Sequence, residues 1–492
     1  MLDTKILYIK DTKCLPCSQC RYRGFDCDSN SCSMYQNKPK RLTCPEFKKD
    51  KGIYKCDLTL KNGLVWVDGK WEQKNVNVYG RKIWSVDDRI LGEEVIDCSG
   101  LKIIPGIIDP HVHFQLDCGR VTSVDDFYYG GKTAAYGGVT TIVDFLDPSN
   151  TVENLWETYN RRKQEAEKCP LNYHFHSCIK MPECNLEDYV IDCLKLGIRT
   201  VKLFTTYSDT GRRTYDKDII ELLKLSKKYG LLICAHIEAD DMIQIKPEMT
   251  YKDLPVSRPG YSETMEALKL AKYAKETGGY LYMVHCSSGE TLRQLKDEFS
   301  DILGKNLFIE SCPQYFVFNQ EFLNDENGKL FTFAPPLRSE RERQLLVANF
   351  DMLDTIGTDH CSFMSYEKDW PTLAGFPLGV GGIENSFSIL YKRFGDKVID
   401  KMTKNVAELE DFVDRGELKP GFYADIAVFK EIDNYRCKKP HGRCDYSIYE
   451  GVLGAGEFVH TIVNGKFVLK NGEFIEQKGH EINCGEKLWK LL

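Results

Sequence analysis

Ile104-Pro105-Gly106-Ile107-Ile108-Asp109-Pro110-His111-Val112-His113-Phe114 is an apolar run that ends in two histidines one residue apart. Alternation along a β-strand sends residues i and i+2 to the same face, so His111 and His113 share a side with an apolar wall behind them. Two imidazoles so placed are the beginning of a metal site. Spacing alone does not make one. His174-Phe175-His176 has the same spacing, and with no acidic or basic partners singling it out it reads as structural. What separates the two pairs must be ligands arriving from elsewhere.

Working outward, seven more apolar runs follow: 141–145, 173–178, 200–204, 231–236, 281–285, 307–311 and 355–359. Amphipathic helical stretches such as 218–229 and 263–277 lie between them. Eight β-α units predict a (β/α)8 barrel, whose chemistry sits at the C-terminal ends of its strands. A doubly wound open sheet is the main alternative, but no Gly-rich phosphate fingerprint follows the first strand. Five of these strands carry candidate ligands near their C-terminal ends. They are His111 and His113 on the first, Lys202 on the fourth, His236 on the fifth, His285 on the sixth and Asp359 on the eighth.

Four neutral imidazoles and a carboxylate are too many ligands for one open zinc site and suit two divalent ions. A lysine ammonium cannot ligate metal. Its amine can add carbon dioxide to become a carbamate (N6-carboxylysine at Lys202), with two oxygens to bridge both ions. Burial beside two cations favours that anionic form.

Short alternating runs with turn signals occupy 53–104 and return at 406–492, where Asn464-Gly465 marks a hairpin turn. The expected organisation is a composite β-sandwich domain from 53–104 and 406–492, a catalytic barrel over 105–405, and a Cys-rich segment over 1–52. That last segment holds Cys14, Cys17, Cys20, Cys27, Cys32 and Cys44. It is too small to fold on hydrophobic content and is expected to bind metal, as zinc or an iron–sulfur cluster. Lys+Arg 66 against Asp+Glu 73 gives a net charge of -7, with the signs interspersed. This argues against nucleic acid or an anionic membrane as partner. No apolar run has transmembrane length, and Met1-Leu2-Asp3-Thr4-Lys5 lacks a signal-peptide core. The expectation is a soluble, cytoplasmic chain.

Ordered motifs sharpen this. Pro105–His113 forms one, and Val201-Lys202-Leu203-Phe204 with Tyr207 another. Glu310-Ser311-Cys312-Pro313-Gln314-Tyr315, Ala334-Pro335-Pro336-Leu337-Arg338, Gly357-Thr358-Asp359-His360-Cys361 and Cys444-Asp445-Tyr446-Ser447 follow. Together they resemble the cyclic amidohydrolases of the amidohydrolase superfamily, within them the dihydropyrimidinase/hydantoinase branch, over residues 56 to 480. The resemblance implies that His111, His113 and Asp359 hold one zinc-like ion and His236 and His285 the other, with carboxylated Lys202 between. It further implies a hydroxide between the ions as nucleophile, Asp359 as general base and acid, and Tyr207 as hydrogen-bond donor to the oxyanion. Main-chain groups near Ser311 and Leu378-Gly379 would grip a cyclic ureide, opened to an N-carbamoyl amino acid. A homotetramer or homodimer is implied as well.

Departures from the family pattern bear on the substrate. Phe114 and Gln115 stand where dihydroorotases and allantoinases usually carry an arginine. Arg212 and Arg213 stand where the hydantoinase branch is usually apolar. They either line a pocket for a polar or acidic ring substituent, or face solvent or pair with acids such as Asp117. A non-catalytic scaffold of the same fold is the remaining alternative, against which every ligand position is intact.

Overall fold

A computed structural model describes residues 55–485 and, before them, only the backbone of Ile6–Leu7, Leu42–Thr43, Lys49–Asp50 and Ile53–Tyr54. The proposed ligands Cys14, Cys17, Cys20, Cys27, Cys32 and Cys44 lie outside the described residues.

The chain first lays down β1 (Cys56–Val67), β2 (Lys70–Tyr79), β3 (Lys82–Asp87), β4 (Gly92–Asp97) and β5 (Lys102–Pro105). Asp68-Gly69 turns β1 into β2 with both residues at positive φ, the conformation a two-residue hairpin needs. The strands that complete this sheet come from the other end of the chain, after the barrel.

Gly106 is the junction between the two bodies. A Cβ there would lie 2.2 Å from Thr140 Oγ1, so only glycine lets the chain pass. Eight parallel strands then follow in chain order: β6 (Ile107–Val112), β7 (Val139–Phe145), β8 (Asn172–Cys178), β9 (Thr200–Phe204), β10 (Leu232–His236), β11 (Leu281–Met283), β12 (Leu307–Ser311) and β13 (Thr355–Ile356). Every residue of β7 and β8 is buried, as expected for parallel strands covered on both faces. Neighbours in space are neighbours in sequence, with no switch point, which excludes the doubly wound alternative. Closure between first and last strands runs through Asp359 N–H to His111 O (2.9 Å) and His113 N–H to His360 O (2.8 Å).

Two strands end earlier than the apolar runs suggest. β11 stops at Met283 and β13 at Ile356, and beyond those ends His285 (φ 42°) and Asp359 (φ 52°) are left-handed. Both residues therefore sit just beyond the strand ends rather than within them.

After the barrel come β14 (Ile426–Glu431), β15 (Gly456–Val463), β16 (Lys466–Lys470) and β17 (Glu473–Phe474). Their sheet joins the N-terminal one through antiparallel pairing of β14 with β5, giving the order β17-β16-β15-β14-β5-β1-β2-β3, with β4 on β1. The Asn464-Gly465 hairpin forms as its sequence predicts, at φ 50° and 80°. Residues 479–485 then run beneath the barrel, where Tyr173 N–H donates to His480 O, Ile482 N–H donates to Tyr173 O, and Arg199 Nε donates to Gly485 O.

Candidate active site

The six expected ligands meet at the barrel mouth. His111 Nε2 and His113 Nε2 lie 3.3 and 3.1 Å from Asp359 Oδ1, and donor atoms of these three residues all fall within 4.8 Å of one another. His236 Nδ1 faces His285 Nε2 at 3.1 Å. The two halves adjoin, the His111 and His285 rings being 5.3 Å apart. Lys202 is buried between them: its charge acts on His111, His236, His285 and Asp359. No carboxylate or carbonyl among the described residues accepts from its ammonium, and burial lowers its pKa. Lowering favours the neutral amine, the form that adds carbon dioxide.

Two buried glutamates fix which ring nitrogens are free. Glu310 accepts from Tyr282 Oη (2.6 Å) and His285 N (3.1 Å), so it also accepts from His111 Nδ1 at 2.8 Å. That arrangement leaves His111 Nε2 with a lone pair, and although buried it has no hydrogen-bond partner among the described residues. Glu238 is held ionised against its burial by Arg258, which grips both carboxylate oxygens. It accepts from His236 Nε2 at 2.7 Å, freeing His236 Nδ1. Burial lowers the pKa of His111, His236 and His285 and keeps them neutral. Asp359 is desolvated too, but His111, His113 and Lys202 outweigh that and hold its pKa down. Nitrogen lone pairs converging beside an ionised carboxylate in a dry pocket fit divalent cations better than protons.

Gly357 is required by this packing. A Cβ there would meet Glu310 Oε2 at 2.6 Å and His111 Cβ at 2.8 Å. Below it, Asp109 ties first strand to last by accepting from Thr358 N (3.1 Å) and Oγ1 (2.5 Å). The exit of β6 is clamped by Arg162, which donates to Phe114 O (2.8 Å) and Asp144 (2.7 Å) while Asp144 accepts from Phe114 N.

Tyr207 is left-handed (φ 68°), an unusual state for a bulky residue and one found where a site over-determines the backbone. Its ring lies 5.3 Å from His236, with the Arg258 guanidinium 4.7 Å from the ring centroid. Ser311 is fully buried, and its hydroxyl is spent on Cys286 O (2.7 Å). Gly379 is held on both sides: its N–H donates to Thr332 O (3.0 Å) and its carbonyl accepts from the buried Lys368 (2.7 Å). Only spare lone pairs of that carbonyl and the groups of Leu378 are left there for a ligand.

His174 and His176 lie outside the site. His176 spends both ring nitrogens on Pro110 O (2.8 Å) and Thr200 Oγ1 (2.6 Å), and His174 bonds Ile482 O (2.9 Å) and Cys484 Sγ (3.3 Å). Of the two departing arginines, Arg213 pairs with Asp240 (3.1 Å) rather than Asp117, and Asp117 instead caps Gly119 N.

Sequence reasoning missed Glu238, Arg258, Asp144 and Arg162, and quoted Glu310 only as part of a motif. Glu238 has a local signal: it stands two residues past His236, just beyond the end of β10. Arg258 has none, because it arrives from a loop twenty residues on.

Among the described residues no helix is long and apolar enough to cross a membrane. Residues 103–468 match the amidohydrolase family. The chain is 27% identical over 455 residues to D-hydantoinase of Geobacillus stearothermophilus, covering 87% of this chain and 92% of the relative. It is 28% identical over 449 residues to D-phenylhydantoinase of Escherichia coli O81 (strain ED1a), covering 85% and 96%. The fold superposes on dihydropyrimidinase from Brevibacillus agri NCHU1002 with a TM-score of 0.82 at 25% identity, over 87% of this chain and 98% of that one. With its motifs, barrel and matched length in agreement, the chain belongs to the amidohydrolase family.

Proposed function

We propose that this protein hydrolyses the ring amide of a cyclic ureide, a hydantoin or dihydropyrimidine, to an N-carbamoyl amino acid. The observation that carries the reading is the convergence of His111, His113, Lys202, His236, His285 and Asp359 from five strand ends, with carboxylates behind His111 and His236. The similarity to hydantoinases supports it. His111, His113 and Asp359 would hold one divalent ion and His236 and His285 the other, with Lys202, as its carbamate, between them. Zinc is the default, and manganese or iron fits the same donors. When bound, such ions lower the pKa of water and polarise the scissile carbonyl.

The chain's own groups do the rest. Asp359, held ionised, takes a proton from the attacking water and returns it to the ring nitrogen as the C–N bond breaks. The water oxygen ends in the new carboxylate. Tyr207, kept protonated by burial, donates its hydroxyl hydrogen bond to the oxygen on which charge develops. Main chain at Ser311 and Leu378-Gly379 orients the ring. A second reading, ring opening of an acidic or polar ureide, is favoured by Arg212, whose side chain has no partner among the described residues.

The test is a ring-opening screen over dihydrouracil, dihydrothymine, plain and substituted hydantoins and allantoin, with metal-stripped and reloaded protein. Opening of at least one ring, dependent on reloading, is expected. A reloaded protein that binds a pair of ions and opens none would overturn the reading.

A further inference from the structure

Two guanidinium groups act on the Tyr207 hydroxyl, and they differ in one respect. Arg258 is fully buried and neutralised by both oxygens of Glu238. Arg212 is partly buried and has no such partner: among the described residues no carboxylate, carbonyl or ring receives its side chain.

Two nearby acids are engaged elsewhere. Asp240 accepts from Thr206 Oγ1, Ser208 N, Ser208 Oγ and Arg213, and Asp117 accepts from Gly119 N. A guanidinium offers five donors in a fork that matches a carboxylate. Free of protein partners among the described residues, that fork is available to an anionic ligand.

Its position is fixed by the turn. Arg212 N–H donates to Tyr207 O (3.0 Å), closing a tight loop whose ends, Tyr207 and Gly211, are both left-handed. Thr214 N–H returns to Phe204 O (2.8 Å), so the loop stands directly on the end of β9, the Lys202 strand. The Arg212 charge also reaches the thiols of Cys178, level with Lys202 on β8, and of Cys118, on the loop after His113. The Arg212 backbone is thus held beside Tyr207 at the end of the fourth strand.

We propose that Arg212 recognises an anionic side arm on the ring, so that the preferred substrates are cyclic ureides bearing a carboxylate substituent. This rests on the cyclic-ureide reading and narrows it.

The experiment compares hydantoin-5-acetic acid with its isosteric amide, hydantoin-5-acetamide, on the reloaded wild-type protein and on Arg212→Gln and Arg212→Lys. Wild type should prefer the acid in kcat/KM by about ten- to a hundredfold, the range of one charge-assisted hydrogen-bonded pair. Arg212→Gln should lose that preference chiefly through KM for the acid, and Arg212→Lys should recover part of it. Equal rates on acid and amide in wild type, or an equal loss on both in Arg212→Gln, would sink the proposal while leaving ureide hydrolysis standing. A reloaded wild-type protein that opens neither these nor any ring of the wider screen brings down both.

Discussion

His111-x-His113 and His174-x-His176 share spacing and strand type, and β7 separates their strands in the same barrel. Even their surroundings overlap: the Phe145 ring lies 4.7 and 4.8 Å from His111 and His113 and 4.6 Å from His176. What differs is the partner of each ring. The backing groups of His174 and His176 are carbonyls, a hydroxyl and a thiol that consume both nitrogens. His111 and His236 are each backed on one side by an ionisable carboxylate, which fixes the tautomer and turns a lone pair into the site. A histidine pair becomes a ligand pair through what stands behind it.

The strongest way to break this contrast is to exchange the fates of the pairs. His111→Asn should lower kcat/KM by at least about a thousandfold, a barrier change of several kcal/mol, and metal analysis should show the ion lost. His176→Gln should keep its metal. It should cost about 1–3 kcal/mol of stability through the bonds to Pro110 and Thr200, read by urea unfolding. Loss of metal in His176→Gln would erase the distinction.

A finer test leaves the ligands in place and removes the backing charge. Glu238→Gln keeps an acceptor for His236 but strips Arg258 of its counter-charge. Titration of stripped protein should show one ion bound about ten- to a hundredfold more weakly, with kcat falling more than KM rises because Tyr207 loses its fixed neighbour. Unchanged affinity would mean that the carboxylate only packs.

The smallest effect probes a carboxyl near Cys234, Tyr282 and Cys484 that has no partner among the described residues. Both oxygens of Glu410 are buried without a partner, and burial raises its pKa from 4.5 to about 8. Between those values the folded chain holds a proton that the unfolded chain has lost. This group's contribution to stability is therefore full below about 4.5 and declines as pH rises, by at most roughly 1.4 kcal/mol per pH unit. Unfolding at pH 5.5 and 7.5 should show a shallower decline in Glu410→Gln than in wild type. Parallel declines would place the proton elsewhere.

Much of the barrel was legible because a parallel strand covered on both faces must be an unbroken apolar run, and a polar residue at its end then stands out. Lys202 between Val201 and Leu203 is the plainest case. The ends of β11 and β13 were misjudged, since nothing in Tyr282-Met283-Val284-His285 announces a left-handed histidine. The C-terminal stretch 479–485 carries no strong pattern and finds its place only against Tyr173 and Arg199.

The sequence by itself determined the alternation that puts His111 and His113 on one face, the eight-strand order, and the six residues proposed as ligands. These follow from local periodicity and residue chemistry. Only the tertiary structure decided that Glu310 and Glu238 select the free nitrogens, that Arg258 is neutralised, and that Arg212 is left over among the described residues. Those facts are pairings between residues far apart in the chain, set by which strand ends closure brings together.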